Sequence, residues 1–301
     1  MYLEEAAPQI RPPLQTGVPL FVGFAEPLDA AASAKTSAGF FRALRLESWK
    51  QFGQSVRVDG DRGFLDYAVR GFFENGGRTC LVAALPAAQP PYQRVRALTE
   101  IFRPQGPLED LEQVDLVCAP DLFWEQAGTE PETIAGLHQH VLDYCRRMGN
   151  RFAILDAPAV FQNTDAAELD SVKDAMAFAR RWPDRLPNRG RPVEGALYFP
   201  WLRVTALERH RSRAGHLVVP PCGHVAGIYA RSDAEYGVHK APANEVVEGI
   251  LDVAVQVSGD IQPEFNRRGV NCIRSFPGRG IRLWGSRTLS TQPAWVVVHV
   301  R

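Results

Sequence analysis

Short, unbroken apolar runs alternate with amphipathic helical patterns through most of the sequence, and this alternation restricts the fold more than any other feature. Between Asp66 and Phe73 the apolar residues fall on one helical face, and Asn75-Gly76-Gly77 then supplies residues that commonly end a helix. The run Thr79–Leu85 that follows is apolar at nearly every position, as in strands that are buried on both faces of a parallel sheet. We therefore predict an α/β fold (α+β overall) that contains a mostly parallel, layered domain.

Further elements of both kinds follow from the same patterns. Strands are predicted at Val18–Ala25, Asp115–Ala119, Phe152–Leu155, Ala196–Leu202, Cys272–Phe276, Ile281–Trp284 and Ala294–Val300. Helices are predicted at 92–102, 134–148 and 169–182, and 40–52 is predicted as a strand and then a short helix that ends at Gly53. These strands are numerous enough for one large sheet with helices between them.

The stretch 218–271 differs from the rest because it is dense in Gly, Pro and Asn without being of low complexity. Pro220-Pro221 fixes two φ angles, while Gly223 and Gly227 allow turns or a close approach of two backbones. Asn244 is predicted to be the N-cap of a helix in the EVVEGIL segment that follows it. Such a stretch is stiff and lacks a nucleophile–base pair or a metal-ligand spacing, so it indicates a protein that builds a structure.

The charge, the lengths of the apolar runs and the cysteine content of the sequence exclude several classes of protein. The 301 residues carry 34 Lys and Arg against 34 Asp and Glu, so the formal net charge is zero and neither a nucleic acid nor an anionic membrane is an expected partner. The apolar runs are too short for a membrane span and the N-terminal segment lacks the apolar part of a secretory signal, so we expect assembly in the cytoplasm without direct membrane insertion. The five cysteines are widely spaced and are expected to be reduced and mostly buried.

The motifs of common enzyme classes are absent from the sequence. It has no GxGxxG after a strand, no Walker-type GK[ST] and no HExxH. Cys222 and His224 are close in sequence, but a nucleophile–base pair at this spacing needs a special backbone geometry, so a structural histidine is favoured. Asp121 and Asp156 follow predicted strands, where α/β enzymes place catalytic acids, and they leave one alternative open: a hydrolase-type enzyme with a site near these two residues. Otherwise no catalytic, cofactor-binding or metal-binding residue is predicted.

Three long stretches of the sequence are distinctive: GHVAGIYARSDAEYGVHKAPAN, NRRGVNCIRSFPGRGIRLWGSRTL and AWVVVHVR. Shorter motifs accompany them: TGVPLFVGFAEP, AVRGFFENGG, CLVAAL, LVCAPDL and AILDAP. Together these motifs resemble those of contractile tail sheath proteins, which form the sheaths of contractile phage tails, R-type bacteriocins and extracellular contractile injection systems. This resemblance implies a structural protein without catalytic activity, cofactor or metal, which assembles as stacked, commonly six-fold rings around an inner tube. When the baseplate triggers, such a sheath contracts and drives the tube through a target envelope.

The resemblance also implies a division of the chain. Residues 1–17 would form an extended arm, residues 18–215 the α/β sheath domain, and residues 216–301 a β-rich C-terminal subdomain that is completed by strand exchange between subunits. Sheaths usually continue past the strand that AWVVVHVR resembles, with a helix and a final arm strand, and we expect this chain to lack both. A sheath-like cap or initiator of the same machine is the alternative that the sequence leaves open.

The expected partners are further copies of the chain in a helical assembly, an inner tube protein, and baseplate and cap proteins of a phage tail or tail-like particle. Three regions are predicted to make these contacts. The exchanged arm includes Tyr2, Leu3, Glu4, Glu5, Ile10 and Leu14. The strand that receives an arm includes Trp295, Val296, Val297, Val298 and Val300. A rigid platform near the tube-facing part of the subunit includes Gly237, Lys240, Pro242, Asn244, Asn271, Arg274, Gly285 and Arg287.

Overall fold

The computed structural model describes most of the chain, and the two predicted terminal strands lie outside the part it describes. The described residues are 16–28, 43–58, 63–87, 90–123, 130–158, 169–186, 194–210 and 215–292. The predicted arm residues up to Leu14 and the predicted strand at Ala294–Val300 are therefore outside the described residues.

Strands and helices alternate along the described chain, as the sequence pattern predicts. The strands are β1 Pro19–Phe24, β2 Glu26–Pro27, β3 Leu44–Leu46, β4 Val56–Arg57, β5 Cys80–Leu85, β6 Leu116–Cys118, β7 Phe152–Asp156, β8 Gly195–Phe199, β9 Leu202–Thr205, β10 His216–Val219, β11 Glu245–Val246, β12 Asp252–Val253, β13 Val270–Phe276 and β14 Gly280–Trp284. The helices are α1 Trp49–Ser55, α2 Leu65–Glu74, α3 Pro91–Ile101, α4 Pro131–Met148, α5 Leu169–Arg181, α6 Cys222–Tyr236 and α7 Gln262–Arg267.

One sheet of nine strands organises the described part of the chain. Its order is β11-β14-β13-β8-β7-β6-β1-β5-β3. The six strands from β13 to β5 in this order run parallel, while β14, β11 and β3 are antiparallel to their neighbours. Two small sheets, β10-β9-β12 and β2-β4, accompany it. This confirms the predicted α/β class with a mostly parallel sheet, and strands β13 and β14 extend that same sheet.

Helices cover both faces of the large sheet. On β7, the ring of Phe152 stacks on Tyr229 of α6, with the ring centroids 6.1 Å apart. The next residue, Ala153, points to the opposite face because side chains alternate along a strand. Its partner on β8, Gly195, lies against Leu142 of α4 on that face. The central strands are thus buried on both sides, which explains their unbroken apolar sequences.

Helices α2 and α6 pack against each other at van der Waals distance because glycines line their contact. A Cβ atom at Gly223 would lie 2.1 Å from the carbonyl oxygen of Ala68, and one at Gly227 would lie 2.4 Å from the carbonyl oxygen of Phe72. No side chain larger than hydrogen fits at such distances. The predicted role of these two glycines in close backbone approach is confirmed.

Two expectations for the C-terminal third differ from the structure. Of the two alternatives for Gly223 and Gly227, turns are excluded, because both lie within the 15-residue helix α6, which is mostly buried and so lacks the polar face that marks a surface helix. The helix predicted after Asn244 is absent. Asn244 has a φ of 61°, and Glu245–Val246 pair with β14 as strand β11.

Two predicted boundaries also differ from the structure. Helix α1 continues through Gly53 to Ser55, because glycine is tolerated inside a helix that packs on its neighbours. The predicted strand Ala196–Leu202 is divided into β8 and β9 at Pro200, which has no N–H for a strand ladder.

The cysteines agree with the prediction: all five are free and buried. Within the described ranges, none of the helices is both long and apolar enough to cross a membrane.

Candidate assembly surface

The N-terminal segment joins the sheet at a fixed point, which we name the arm root and which consists of Gly17 and Val18, held by the side chain of Asp115. The Asp115 carboxylate accepts hydrogen bonds from the backbone N–H groups of Gly17 at 2.7 Å and Val18 at 2.6 Å. Gly17 has a φ of 73°, and a Cβ atom there would lie 2.5 Å from the Cα of Ala230 on α6. Asp115 is not among the predicted contact residues, although an acid at the start of an apolar strand pattern is a signal that the sequence offers.

The C-terminal end of the described chain returns to the end of the sheet where the parallel strands begin, as the arm root does. The backbone N–H of Leu289 donates to the carbonyl oxygen of Gly195, the first residue of β8, at 2.9 Å. The arm root precedes β1, and β1 is parallel to β8 with β6 and β7 between them. Three strand spacings of about 4.8 Å separate β1 from β8 by roughly 14 Å. Both terminal segments thus leave from the amino ends of the parallel strands.

Asn271 is the centre of the first half of the predicted platform. Its amide nitrogen donates to the carbonyl oxygens of Leu197 at 3.3 Å and Arg287 at 2.7 Å, and its amide oxygen accepts the backbone N–H of Arg287 at 2.7 Å. A Cβ atom at Gly285, where φ is 149°, would lie 2.7 Å from that amide oxygen. The fully buried side chain therefore joins β13 to β8 and to the segment after β14.

The second half of the platform follows α6 and runs along β14. The N–H of Asn244 donates to the carbonyl oxygen of Leu283 at 2.7 Å, and the guanidinium of Arg282 donates to the carbonyl oxygen of Asn244 at 2.7 Å. Lys240 forms an ion pair with Glu245 of β11. These contacts hold a short strand at the outer edge of the sheet.

The remaining predicted platform residues support these two groups. Gly237 ends α6 with a φ of 88°, and Pro242 is buried in the segment that follows. The guanidinium of Arg274 donates to the carbonyl oxygen of Val257 at 2.8 Å and lies 4.9 Å from the ring centroid of Phe276. The platform residues thus lie between the C-terminal end of α6 and the strands β11, β13 and β14, and their contact with a tube stays a prediction.

Asp121 and Asp156, the acids of the alternative enzyme hypothesis, bind backbone groups. The carboxylate of Asp121 accepts the N–H groups of Phe24 at 2.7 Å and Phe64 at 2.6 Å, and that of Asp156 accepts the N–H of Cys222 at 2.7 Å. Burial raises the pKa of each carboxyl to about 7. Each acid thus fastens a strand end to another element, and these contacts give both a structural role.

The buried histidines are held in their neutral form. Burial raises the pKa of the Cys222 thiol well above its usual value and lowers the pKa of His224 to about 3. A thiolate–imidazolium pair requires the opposite shifts.

His138 is also buried, and the indole N–H of Trp182 donates to its Nδ1 at 3.0 Å. Among the described residues, no three His, Cys, Asp or Glu side chains are grouped to hold a metal ion.

The model of the phage tail sheath protein central domain matches residues 111–289, which include both halves of the platform. The chain belongs to the phage tail sheath protein family. A prophage major tail sheath protein of Pseudomonas aeruginosa strain UCBPP-PA14 is 35% identical over 83 residues, which make up 26% of this sheath protein and 22% of that relative. The chain thus matches less than a quarter of the length of this curated relative.

Solved structures of related particles share this fold over the length of the chain. A chain of the anti-feeding prophage helical sheath in its contracted state is 27% identical, with a TM-score of 0.63, and the match covers 100% of this chain and 71% of that chain. A chain of the anti-feeding prophage baseplate is also 27% identical, with a TM-score of 0.64, covering 100% of this chain and 70% of that chain. The fold of this sheath protein is therefore found in sheath and baseplate assemblies.

Proposed function

We propose that this protein is a structural subunit of a contractile sheath. It polymerises as stacked, six-fold rings around an inner tube and contracts to drive that tube through a target envelope. The observation that carries the proposal is the match, at 27% identity over 100% of this chain, to a chain of a sheath in its contracted state. The continuous nine-strand sheet and the glycine-packed helices support this proposal, because a sheath that contracts needs subunits that keep their own fold while their packing changes.

Assembly is proposed to use the three predicted regions. Residues Tyr2–Leu14 are the exchanged arm, Trp295–Val300 receive an arm, and the platform faces the tube. The positions of the arm root and of Leu289 support this, because both lie at the amino ends of the parallel strands, roughly 14 Å apart. An arm and a receiving strand that start from the same end of the sheet can pair with neighbours on the same side of the subunit.

Electron microscopy of the purified protein, alone and mixed with the inner tube protein of the same particle, tests this function. Hollow helical cylinders that enclose the tube are expected. Monodisperse particles that also fail to bind the tube would contradict the proposal.

A second candidate is a sheath-like protein that stays at the baseplate or cap. The match to a baseplate chain at a TM-score of 0.64 favours it specifically. In the same experiment, such a protein would bind one end of a tube as a single ring, and it would not extend into a cylinder.

A further inference from the structure

The hairpin formed by β13 and β14 carries charge of one sign and extends past the neighbouring strand. Residues 270–284, which we name the basic hairpin, contain three arginines and no Asp or Glu. Strand β13 pairs with β8 only from Val270 to Cys272, and Cys272 lies opposite Phe199, the last residue of β8. The rest of β13, residues 273–276, continues about 13 Å beyond the carboxyl end of β8, at roughly 3.3 Å per residue.

Two arginines near the tip of this hairpin bind neutral groups. Arg279 is exposed and Arg282 is half-buried. Their guanidinium groups donate to the side-chain oxygen and the carbonyl oxygen of Asn244. Within the part of the chain that the structure describes, neither arginine forms an ion pair. The tip therefore presents positive charge that no described acid of its own subunit contacts.

A third arginine, Arg274, lies closer to the base of the extension. Its guanidinium donates to the carbonyl oxygen of Val257. The pKa of the exposed Asp260 carboxyl is lowered, mainly by a hydrogen bond from the Ser258 side chain, and the charge of Arg274 adds a smaller effect. Part of the charge of Arg274 is thus balanced within the subunit, so the argument for an external partner rests on the tip.

A segment of the opposite charge lies at the other end of the parallel strands. Residues 108–115, which we name the acidic loop, contain four acids and no Lys or Arg. Asp110 and Glu112 are exposed, and neither forms an ion pair with another described residue. Asp115 binds the arm root, which places the loop at the amino ends of β1 and β6. The basic hairpin instead extends beyond the carboxyl end of β8.

We propose that the basic hairpin of one subunit binds the acidic loop of a second copy of this chain. The formal net charge is zero, yet these two segments separate charge of opposite sign to opposite ends of the sheet. A contact between two different surfaces of one chain does not close on itself and repeats along an open assembly. Complementary charge would set the orientation of the two copies. This contact rests on the proposed self-assembly. It uses the tip residues Arg279 and Arg282, which are not among the platform residues proposed to face the tube, and it is separate from the exchanged arms.

Site-directed crosslinking tests the contact without requiring a complete sheath. Arg279→Cys protein is mixed with Glu112→Cys protein and treated with a short bifunctional maleimide at low and high salt. The five native cysteines are buried, so the introduced thiols are the accessible ones. The control mixture contains Arg96→Cys protein instead of Arg279→Cys protein, because Arg96 is an exposed residue on α3. At low salt we expect roughly tenfold more crosslinked dimer from the Arg279→Cys mixture than from this control.

Charge reversal shows whether the attraction is electrostatic. Adding Asp110→Arg to the Glu112→Cys protein should lower the yield about tenfold, and adding Arg282→Glu to the Arg279→Cys protein at the same time should restore it. A yield no higher than that of the Arg96→Cys control would overturn the proposal, as would a yield that high salt does not lower.

The two proposals fail in different ways. Cylinders in the microscope without a 279–112 crosslink would leave the sheath function standing and refute this contact. A crosslink without cylinders would support the contact and contradict polymerisation. Crosslinking of the Arg279→Cys protein only to a tube protein that carries an introduced surface cysteine would show that the hairpin tip faces the tube, and it would refute the proposed contact between copies.

Discussion

Asn271 makes three hydrogen bonds from a fully buried side chain, so its removal would leave several backbone groups unpaired. Replacing Asn271 by Ala should lower the free energy of unfolding by about 3 kcal/mol, because buried donors and acceptors lose their partners. Gln256→Ala is a suitable control, since Gln256 is exposed and, among the described residues, its amide bonds only to Asp252. The control should change stability by less than about 0.5 kcal/mol in urea unfolding. Equal effects of the two substitutions would show that Asn271 does not hold the platform together.

Asp156 makes stability depend on pH in an unusual direction. Its pKa is about 7 in the folded protein because of burial, against 3.8 for an exposed carboxyl. Between these values the folded state holds a proton that the unfolded state has lost, so this residue's contribution to stability is present at pH 4 and is lost as the pH rises to 7. Each pH unit in this window removes up to about 1.4 kcal/mol.

Replacing Asp156 by Asn keeps an oxygen for the N–H of Cys222 and removes the ionisation. The variant should therefore lose less stability than the parent protein between pH 4 and pH 7, as measured by urea unfolding at each pH. Asp121→Asn is the matched contrast. Both oxygens of Asp121 accept backbone N–H groups, one from Phe24 and one from Phe64. The amide N–H₂ of an Asn at this position would face one of these N–H groups, and two donors cannot bond, so the substitution should destabilise the protein at every pH. Parallel pH profiles of the parent and Asp156→Asn proteins would contradict the proposed ionisation.

At the scale of elements, the contact between α2 and α6 depends on the absence of side chains. Gly227→Ala would bring a Cβ atom to 2.4 Å from the Phe72 carbonyl oxygen, and we expect a loss of about 3 kcal/mol in the free energy of unfolding. Gly136→Ala on α4 is the control, because no described residue outside its own helix turn lies within 4 Å of its added Cβ, and it should stabilise the protein by about 0.5–1 kcal/mol. If both variants unfolded alike in urea, the close contact between α2 and α6 would be wrong.

The elements also show which parts of the fold a sequence can reveal. The central strands and the helices with one apolar face, such as α2 and α4, follow from local periodicity, because each is buried in a regular pattern. Local periodicity does not reveal helix α6, because this helix is buried nearly all round and its glycines are explained by contact with α2, which is remote in sequence. Periodicity does not reveal the edge strand β11 either, because pairing with β14 outweighs the local signal for a helix at Asn244.

At the scale of the whole molecule, the sequence motifs identified the family, while the geometry of the candidate surface required the fold. Asn271 and Gly285 are predicted platform residues whose direct contact could not be read from their spacing. The arm root depends on Asp115, which is remote in sequence from Gly17. Long-range pairings of this kind arise from strand order, and strand order has no local signature.

Deleting residues 1–14 should abolish polymerisation and leave the subunit folded, because the arm root that binds Asp115 remains. The deletion variant should unfold within about 0.5 kcal/mol of the parent in urea, and it should form no cylinders with the tube. A Gly/Ser segment of the same length in place of residues 1–14 separates the need for the arm sequence from the need for its length, and it should fail equally. A subunit without its arm could still receive one, so small amounts of the deletion variant should shorten cylinders of the parent protein. Cylinders of normal length from the deletion variant alone would show that the arm does not join the subunits.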